Sequence, residues 1–193
     1  MNVDALIAKR IRDLRKARGY TLEDLAESSG VSRSTISMIE RKESSPTAAL
    51  LGRLADALGV TLAALFSDEP QSTQDPLAQR ADQQVWVDPA SGYVRRHVSP
   101  VGYPSPIELV EVVFPPGESV AFANVARSMV THQQVWLLEG EMQVTVGDST
   151  WHMQTGDCLA MVLDQHIVFR NPGAKPARYA VALTTHPSTT GKT

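Results

Sequence analysis

The hydrophobic period of the chain changes once along its length, and that change constrains what each part can become. Over residues 1–66 apolar side chains recur at helical spacing, with a single proline, Pro46. From Gln84 onward, β-branched and aromatic runs alternate with Pro/Gly turns, the texture of an all-β unit. Between them, residues 67–83 carry Pro70 and Pro76 among small and polar side chains and read as a linker. The expected division is a helical domain over 1–66, the linker at 67–83, and a β domain over 84–187. A chain of 193 residues accommodates two such domains.

The net charge of −3 conceals an asymmetry. Residues 1–66 hold 10 Lys/Arg against 8 Asp/Glu, whereas residues 67–193 hold 8 against 13. The helical part is therefore the basic one. No apolar run approaches the ~18–20 residues of a membrane span. The opening stretch MNVDALIAKRIRDLRK lacks the apolar segment of a secretory signal, so a cytoplasmic location is expected. The lone cysteine, Cys158, excludes a disulfide framework and any cysteine-based zinc site built within one chain.

Leu6, Ile7, Ile11 and Leu14 form the apolar stripe of a first helix ending near Gly19. Thr21 is an N-cap candidate with Asp24 three residues on, Leu22, Leu25 and Ala26 face inward, and Gly30 suits a left-handed stop. Ser32 caps a third helix over residues 33–40. Its Ile36 and Ile39 turn inward, and Arg33, Ser34, Thr35, Ser37 and Met38 form an exposed, mostly polar face. Pro46-Thr47 opens a fourth helix carrying Leu50, Leu51, Leu54, Ala55 and Leu58, stopped by Gly59, and residues 61–66 close the bundle.

Two short helices joined by a glycine turn, the second rich in Ser, Thr and Arg, form a helix-turn-helix. Residues 5–66 resemble the lambda-repressor-like (XRE-type) family. The resemblance rests on Leu14-Arg15, Leu25-Ala26, Gly30-Val31-Ser32, Ile36-Ser37, Ile39-Glu40, Ser45-Pro46, Ala55 and Leu58-Gly59-Val60. It implies major-groove binding of double-stranded DNA through Ser32, Arg33, Ser34, Thr35 and Ser37. Lys9, Arg12 and Lys42 are candidates for phosphate contacts, or else solvated charges. The family's buried Arg–Glu pair falls on Arg15 and Glu40. Where the family often has a phosphate-binding Gln, this chain has Leu22, which is expected to pack instead.

Strands are expected over residues 107–114, 130–138, 142–146, 151–153, 159–163, 167–170 and 179–184, a spacing that implies a sandwich or barrel. The phrase Leu137-Leu138-Glu139-Gly140-Glu141-Met142-x-Val144, then Gly156-Asp157, then Phe169-Arg170-Asn171-Pro172-Gly173, resembles the cupin family, a double-stranded jelly roll, over about residues 105–186. Cupins usually hold a metal on histidines and a glutamate. Counting from Gly140 and Asn171, this chain places Arg127, Met129, Gln133 and Ile167 in those slots. His132 and His166 sit one residue off and, without a bulge, point to the opposite face. No metal or other cofactor is expected, and His97, His132, His152 and His166 read as surface or sheet-packing residues.

What remains is an apolar barrel lined by Arg127, Met129, Gln133, Val135, Leu137, Ile167 and Phe169, the profile of a small-molecule pocket. Arg127 either holds a carboxylate there or sits on a loop in water. Trp136 is expected to face outward, Arg95 and Arg96 to be solvated, and Cys158 to be a buried small hydrophobe. The fold class is then an all-α helix-turn-helix bundle plus an all-β cupin. The function is that of a dimeric transcriptional regulator, not an enzyme, binding an operator with two half-sites under a small effector, amino-acid-like or sulfur-containing. The competing readings are a metal-dependent cupin enzyme with an appended DNA-binding head and a protein-interaction module.

Overall fold

A computed structural model describes residues 3–66, 75–124 and 129–187. The helical part comprises α1 (Val3–Ala17), α2 (Leu22–Ser29), α3 (Arg33–Glu40) and α4 (Ala48–Ala57), closed by a 3-10 turn at Ala63–Phe66. A hydroxyl starts each of the three shorter α-helices. Thr21 accepts from the Asp24 N–H, Ser32 from the Thr35 N–H and Thr47 from the Leu50 N–H. Such caps satisfy N–H groups that the helix itself leaves orphaned. The Asp24 carboxylate returns a bond from the Thr21 N–H at 2.8 Å, so a shorter side chain completes the capping box that Glu usually makes.

Among the described residues the β part has ten strands: β1 (Val85–Val87), β2 (Val94–His97), β3 (Ile107–Phe114), β4 (Ser119–Phe122), β5 (Met129–Glu139), β6 (Glu141–Val146), β7 (Ser149–Gln154), β8 (Cys158–Val162), β9 (Ile167–Arg170) and β10 (Ala177–Pro187). All seven expected strands are present, with edges shifted by up to three residues. Strands β1, β2 and β4 are additional, and at three or four residues they are too short for periodicity to expose. The strands form two antiparallel sheets, β1-β2-β3-β10-β5-β8 and β4-β9-β6-β7, stacked as a jelly roll. The cupin phrases have structural reasons. Gly140 has φ 84°, and a Cβ there would lie 3.0 Å from the Ala177 Cα. The buried Asn171 donates to the Phe114 and Lys175 carbonyls and accepts from the Gly173 N–H, tying the turn after β9 to the end of β3.

Register decides which side chains turn inward. Val112, Tyr179 and Leu137 align across β3, β10 and β5, and Val110, Val181 and Val135 form the next inward row. The intervening row, Glu111, Ala180, Trp136 and Cys158, faces outward. Trp136 is accordingly exposed. Cys158 is exposed as well, which corrects the expectation that it is buried. A one-residue change of parity moves a strand side chain to the other face, and pairing with the outward Trp136 settles the parity of Cys158. Trp86 is buried and Trp151 is exposed.

The helices and the sheets share one core. Phe66 packs edge-on against Trp86, with ring centroids 5.5 Å apart. Ring packing continues through Tyr93, Phe114, Tyr179 and Phe169 to Phe122. Phe122 lies against Gly52 of α4, where an added Cβ would come within 3.0 Å of its ring. The aromatic chain therefore leaves the helical part at Phe66 and returns to it at Gly52. At the same junction Asp88, just after β1, accepts the backbone N–H of Ala48 at 2.9 Å. A carboxylate at a helix start both satisfies that donor and complements the helix dipole.

Candidate functional site

Helix α3 stands on the surface because only one of its faces is apolar. Ile36 and Ile39 are buried, while Ser32, Arg33 and Ser34 are exposed and Thr35 and Ser37 half-buried. The turn before it is closed by hydrogen bonds. Gly30 takes φ 64° and donates to the Ala26 carbonyl, and the Ser29 hydroxyl bridges the Leu25 carbonyl and the Val31 N–H. The Ser32 hydroxyl lies 2.9 Å from that of Ser34 and 2.7 Å from that of Thr35, a cluster of donors and acceptors at the helix start. Arg33 is held by Glu23 of α2, Nε to Oε1 at 2.5 Å, with both side chains largely in solvent.

The other candidate cations divide. Lys42 follows α3, is exposed, and takes φ 64°. Lys9 pairs with Asp13 along α1 at 3.4 Å. Arg12 is directed at α3, its Nη2 donating to the Glu40 carbonyl at 2.6 Å. Arg15 makes a two-pronged pair with Glu40, at 2.7 and 2.9 Å. That bond holds the Arg15 guanidinium above its ordinary pKa. Both arginines thus fix the C-terminal end of α3 to α1. Leu22 packs against the core, the role expected of it.

The second candidate site is a cavity of about 100 Å³ between the sheets and the helices. Gln133, Ile167 and Phe169 line it. Val135 and Leu137 also point inward but are buried in the packed core and form no part of its wall. The expectation that they face the pocket is corrected: in their rows Val181 and Tyr179 of β10 supply the wall. Arg127 and the side chain of Met129 lie outside the described residues. The remaining wall holds Tyr93, Val110, Val112, Phe114 and Phe122, with Asn124 and Arg95 as polar members. Its helical side is made by Gly52 and Ala55 of α4 together with Thr61 and Leu62.

Arg95, expected in water, is 6% exposed. The pairing of β1, β2 and β3 explains this. Arg95 stands between Trp86 and Val112 on the inward row, whereas Arg96 stands between Val85 and Glu111 on the outward one. A Val-Arg-Arg-His stretch gives no alternation from which to assign those faces. The Arg95 guanidinium lies 4.5 Å over the Phe66 ring, and its nearest carboxylate oxygen, on Glu108, is 3.9 Å away. Burial presses its pKa below the ordinary arginine value, opposed by Glu108 and the two tyrosines. The phenols of Tyr93 and Tyr179 are pushed up, chiefly by burial. Among the described residues no three of His, Cys, Asp and Glu come together in a way that could hold a metal ion.

An exposed, hydrogen-bond-capped helix-turn-helix set on a jelly roll defines a helix-turn-helix protein with a double-sheet β domain. The helix-turn-helix family profile matches residues 11–65. The chain is 36% identical over 86 residues to the HTH-type transcriptional regulator SutR of Escherichia coli, covering 45% of this chain and about half, 47%, of that protein. It is 26% identical over 180 residues to the HTH-type transcriptional regulator PuuR of Escherichia coli, covering 91% of this chain and 93% of that one. An HTH-type regulator of Bacillus subtilis, YazB, matches at 42% over 53 residues, 28% of this chain and 77% of that one. The fold matches the crystal structure of an HTH_3 family transcriptional regulator from Vibrio cholerae with a TM-score of 0.75, at 24% identity and over 96% and 97% of the two chains. The chain belongs to the helix-turn-helix transcriptional regulators. Among the described residues no helix is long and apolar enough to cross a membrane.

Proposed function

We propose that the chain binds an operator as a homodimer and that a small molecule in the barrel cavity sets its DNA affinity, without chemical turnover. The observation that carries this is the origin of the cavity wall. Gly52, Ala55, Thr61 and Leu62 belong to the helical part, and the rest of the wall belongs to the jelly roll. A ligand in that space touches the reading head directly, so its interactions differ between head positions. Such a difference is what allosteric coupling requires, at ~1–3 kcal/mol. In this reading Ser32, Arg33, Ser34, Thr35 and Ser37 face base edges and phosphates, with Lys42 and Lys9 at the flanks. Arg12 acts through α3, to whose last residue it is bonded. The helical domain then runs over 1–66, joined to the cupin at 84–187 by residues 67–83, in the cytoplasm.

Fluorescence anisotropy with DNA from the gene's own promoter tests the reading. Salt-sensitive binding to a duplex with two half-sites, abolished on shortening to one half-site, is expected. Binding that ignores salt and sequence overturns it.

A further inference from the structure

We infer that the barrel cavity takes a small organic carboxylate with an apolar body, and that Arg95 is the residue that anchors it. The inference rests on the reading of the cavity as an effector site and adds the chemical class of the effector and its anchor.

Arg95 is a charged side chain buried to 94% in the wall of an otherwise largely apolar cavity. A guanidinium presents five N–H donors in a rigid fork and accepts nothing. Among the described residues its guanidinium is held by an ion pair with Glu108 and by the Phe66 ring, and by no hydrogen bond to the protein. The Glu108 oxygen at 3.9 Å supplies a counter-charge but no bond, and the Phe66 ring covers one face of the fork. A cation in the wall of a largely apolar cavity is costly to hold, and an oxyanion meeting the fork edge-on with two parallel bonds offsets that cost. Neutral arginine is no alternative, because the group stays protonated in proteins.

The rest of the wall selects what the carboxylate is attached to. Tyr93, Phe114, Phe169 and Tyr179 present ring faces and edges, and Val112 and Ile167 fill between them. Burial holds both phenols in the neutral form. A hydrocarbon or aromatic body fits such a wall, and a second charge does not. The position of Arg95 also tells how the ligand is read. Its guanidinium rests on Phe66, the last residue of the helical part before the linker, so an anion drawn to the fork acts on the packing that joins the two halves.

The test is titration of the full chain with benzoate, its neutral isostere benzamide and the cation benzylamine, followed by calorimetry. Benzoate is expected to bind saturably, with the other two weaker by about 10-fold or more, and Arg95→Met is expected to weaken benzoate affinity by about 10-fold. Because Arg95→Met removes a core side chain, a second measurement uses the unmodified protein. The Arg95 Nε–H resonance, assigned by its absence in the variant, should shift on saturation with benzoate. Equal binding of benzamide, benzoate affinity unchanged in Arg95→Met, an unmoved Arg95 resonance, or no saturable binding of either benzoate or 3-methylbutanoate each overturns the inference. DNA binding is scored separately. DNA binding without carboxylate binding sinks this inference alone, and carboxylate binding without DNA binding sinks the regulatory reading alone.

Discussion

The Asp88 carboxylate, on a jelly-roll turn, accepts the backbone N–H of Ala48, the first residue of α4, at 2.9 Å. Its other oxygen accepts from the Ser91 N–H at 3.0 Å and the Ser91 hydroxyl at 2.5 Å. Asp88 is almost wholly buried, so each of these donors depends on it. Asp88→Ala leaves them unpaired away from water and should cost about 2–3 kcal/mol. Urea denaturation followed by tryptophan fluorescence measures it. A loss within experimental error of zero would mean that the junction does not form in solution.

The shared core has a consequence for cooperativity. All three tryptophans lie in the β part, whereas most helical signal comes from α1 to α4. Two independent domains would unfold separately by those two probes. Phe66, Trp86 and the Asp88 bond tie them, so fluorescence and far-ultraviolet circular dichroism should report one coincident transition. Gly52→Leu should separate the two curves. The new Cβ would lie 3.0 Å from the Phe122 ring, and the rest of the side chain must displace that ring, at a cost of about 1–3 kcal/mol.

Helix α3 is held from behind by charge. Glu40 is 6% exposed and is bonded through both oxygens to Arg15. Glu40→Ala strands the Arg15 guanidinium, which is itself 12% exposed, and should destabilise the fold by about 3–5 kcal/mol. Glu40→Gln keeps the shape and one acceptor and should cost less. Equal destabilisation in the two variants would argue that packing, not charge, is what Glu40 supplies.

Much of this was legible locally. Thr21, Ser32 and Thr47 announce their helix starts because a cap is an interaction over three residues. The strands of β3, β5 and β6 announce themselves by length and alternation. The Arg15–Glu40 pair was implied by the family resemblance. The junction was not legible, because it links residues far apart in sequence: Ala48 with Asp88, Gly52 with Phe122, and Phe66 with Trp86 and Arg95. Arg95 shows why. Two adjacent arginines on a four-residue strand look alike, and only pairing with Trp86 and Val112 turns the first inward. Gln133, Ile167 and Phe169 turn toward the barrel cavity by strand parity, but its helical wall cannot be read from either half alone.

The two buried phenols give the protein an alkaline limit. Burial raises the folded pKa of Tyr93 and Tyr179 above the unfolded value of ~10. Below that value both states hold the proton and the stabilisation is complete. Above it the unfolded chain releases protons that the folded one keeps, so stability falls as pH rises. Absorbance at 295 nm should show two of the four tyrosines failing to ionise with the others until the fold is disrupted. Tyr93→Phe and Tyr179→Phe should each make the alkaline decline shallower. A full four-tyrosine titration without unfolding would contradict the buried placement.

The Arg33–Glu23 pair links α3 to α2 on the exposed face of the helix-turn-helix. Both side chains are about two-thirds exposed, so the pair contributes little to stability, about 0–1 kcal/mol. Under the proposed function its weight falls on DNA binding instead. To reach a phosphate or a guanine edge, Arg33 must leave Glu23, and a carboxylate at that place also repels the duplex. Glu23→Gln should therefore tighten operator binding several-fold while leaving the melting temperature nearly unchanged. Arg33→Ala should weaken binding and reduce the slope of log affinity against log salt by about 0.9 for each phosphate that the side chain neutralises. If Arg33 reads a base edge instead, affinity falls mainly on the cognate operator and the salt slope stays. Anisotropy titrations on cognate and scrambled duplexes at several salt concentrations separate these cases. Glu23→Gln binding no tighter than the unmodified chain would show that Arg33 does not approach the DNA.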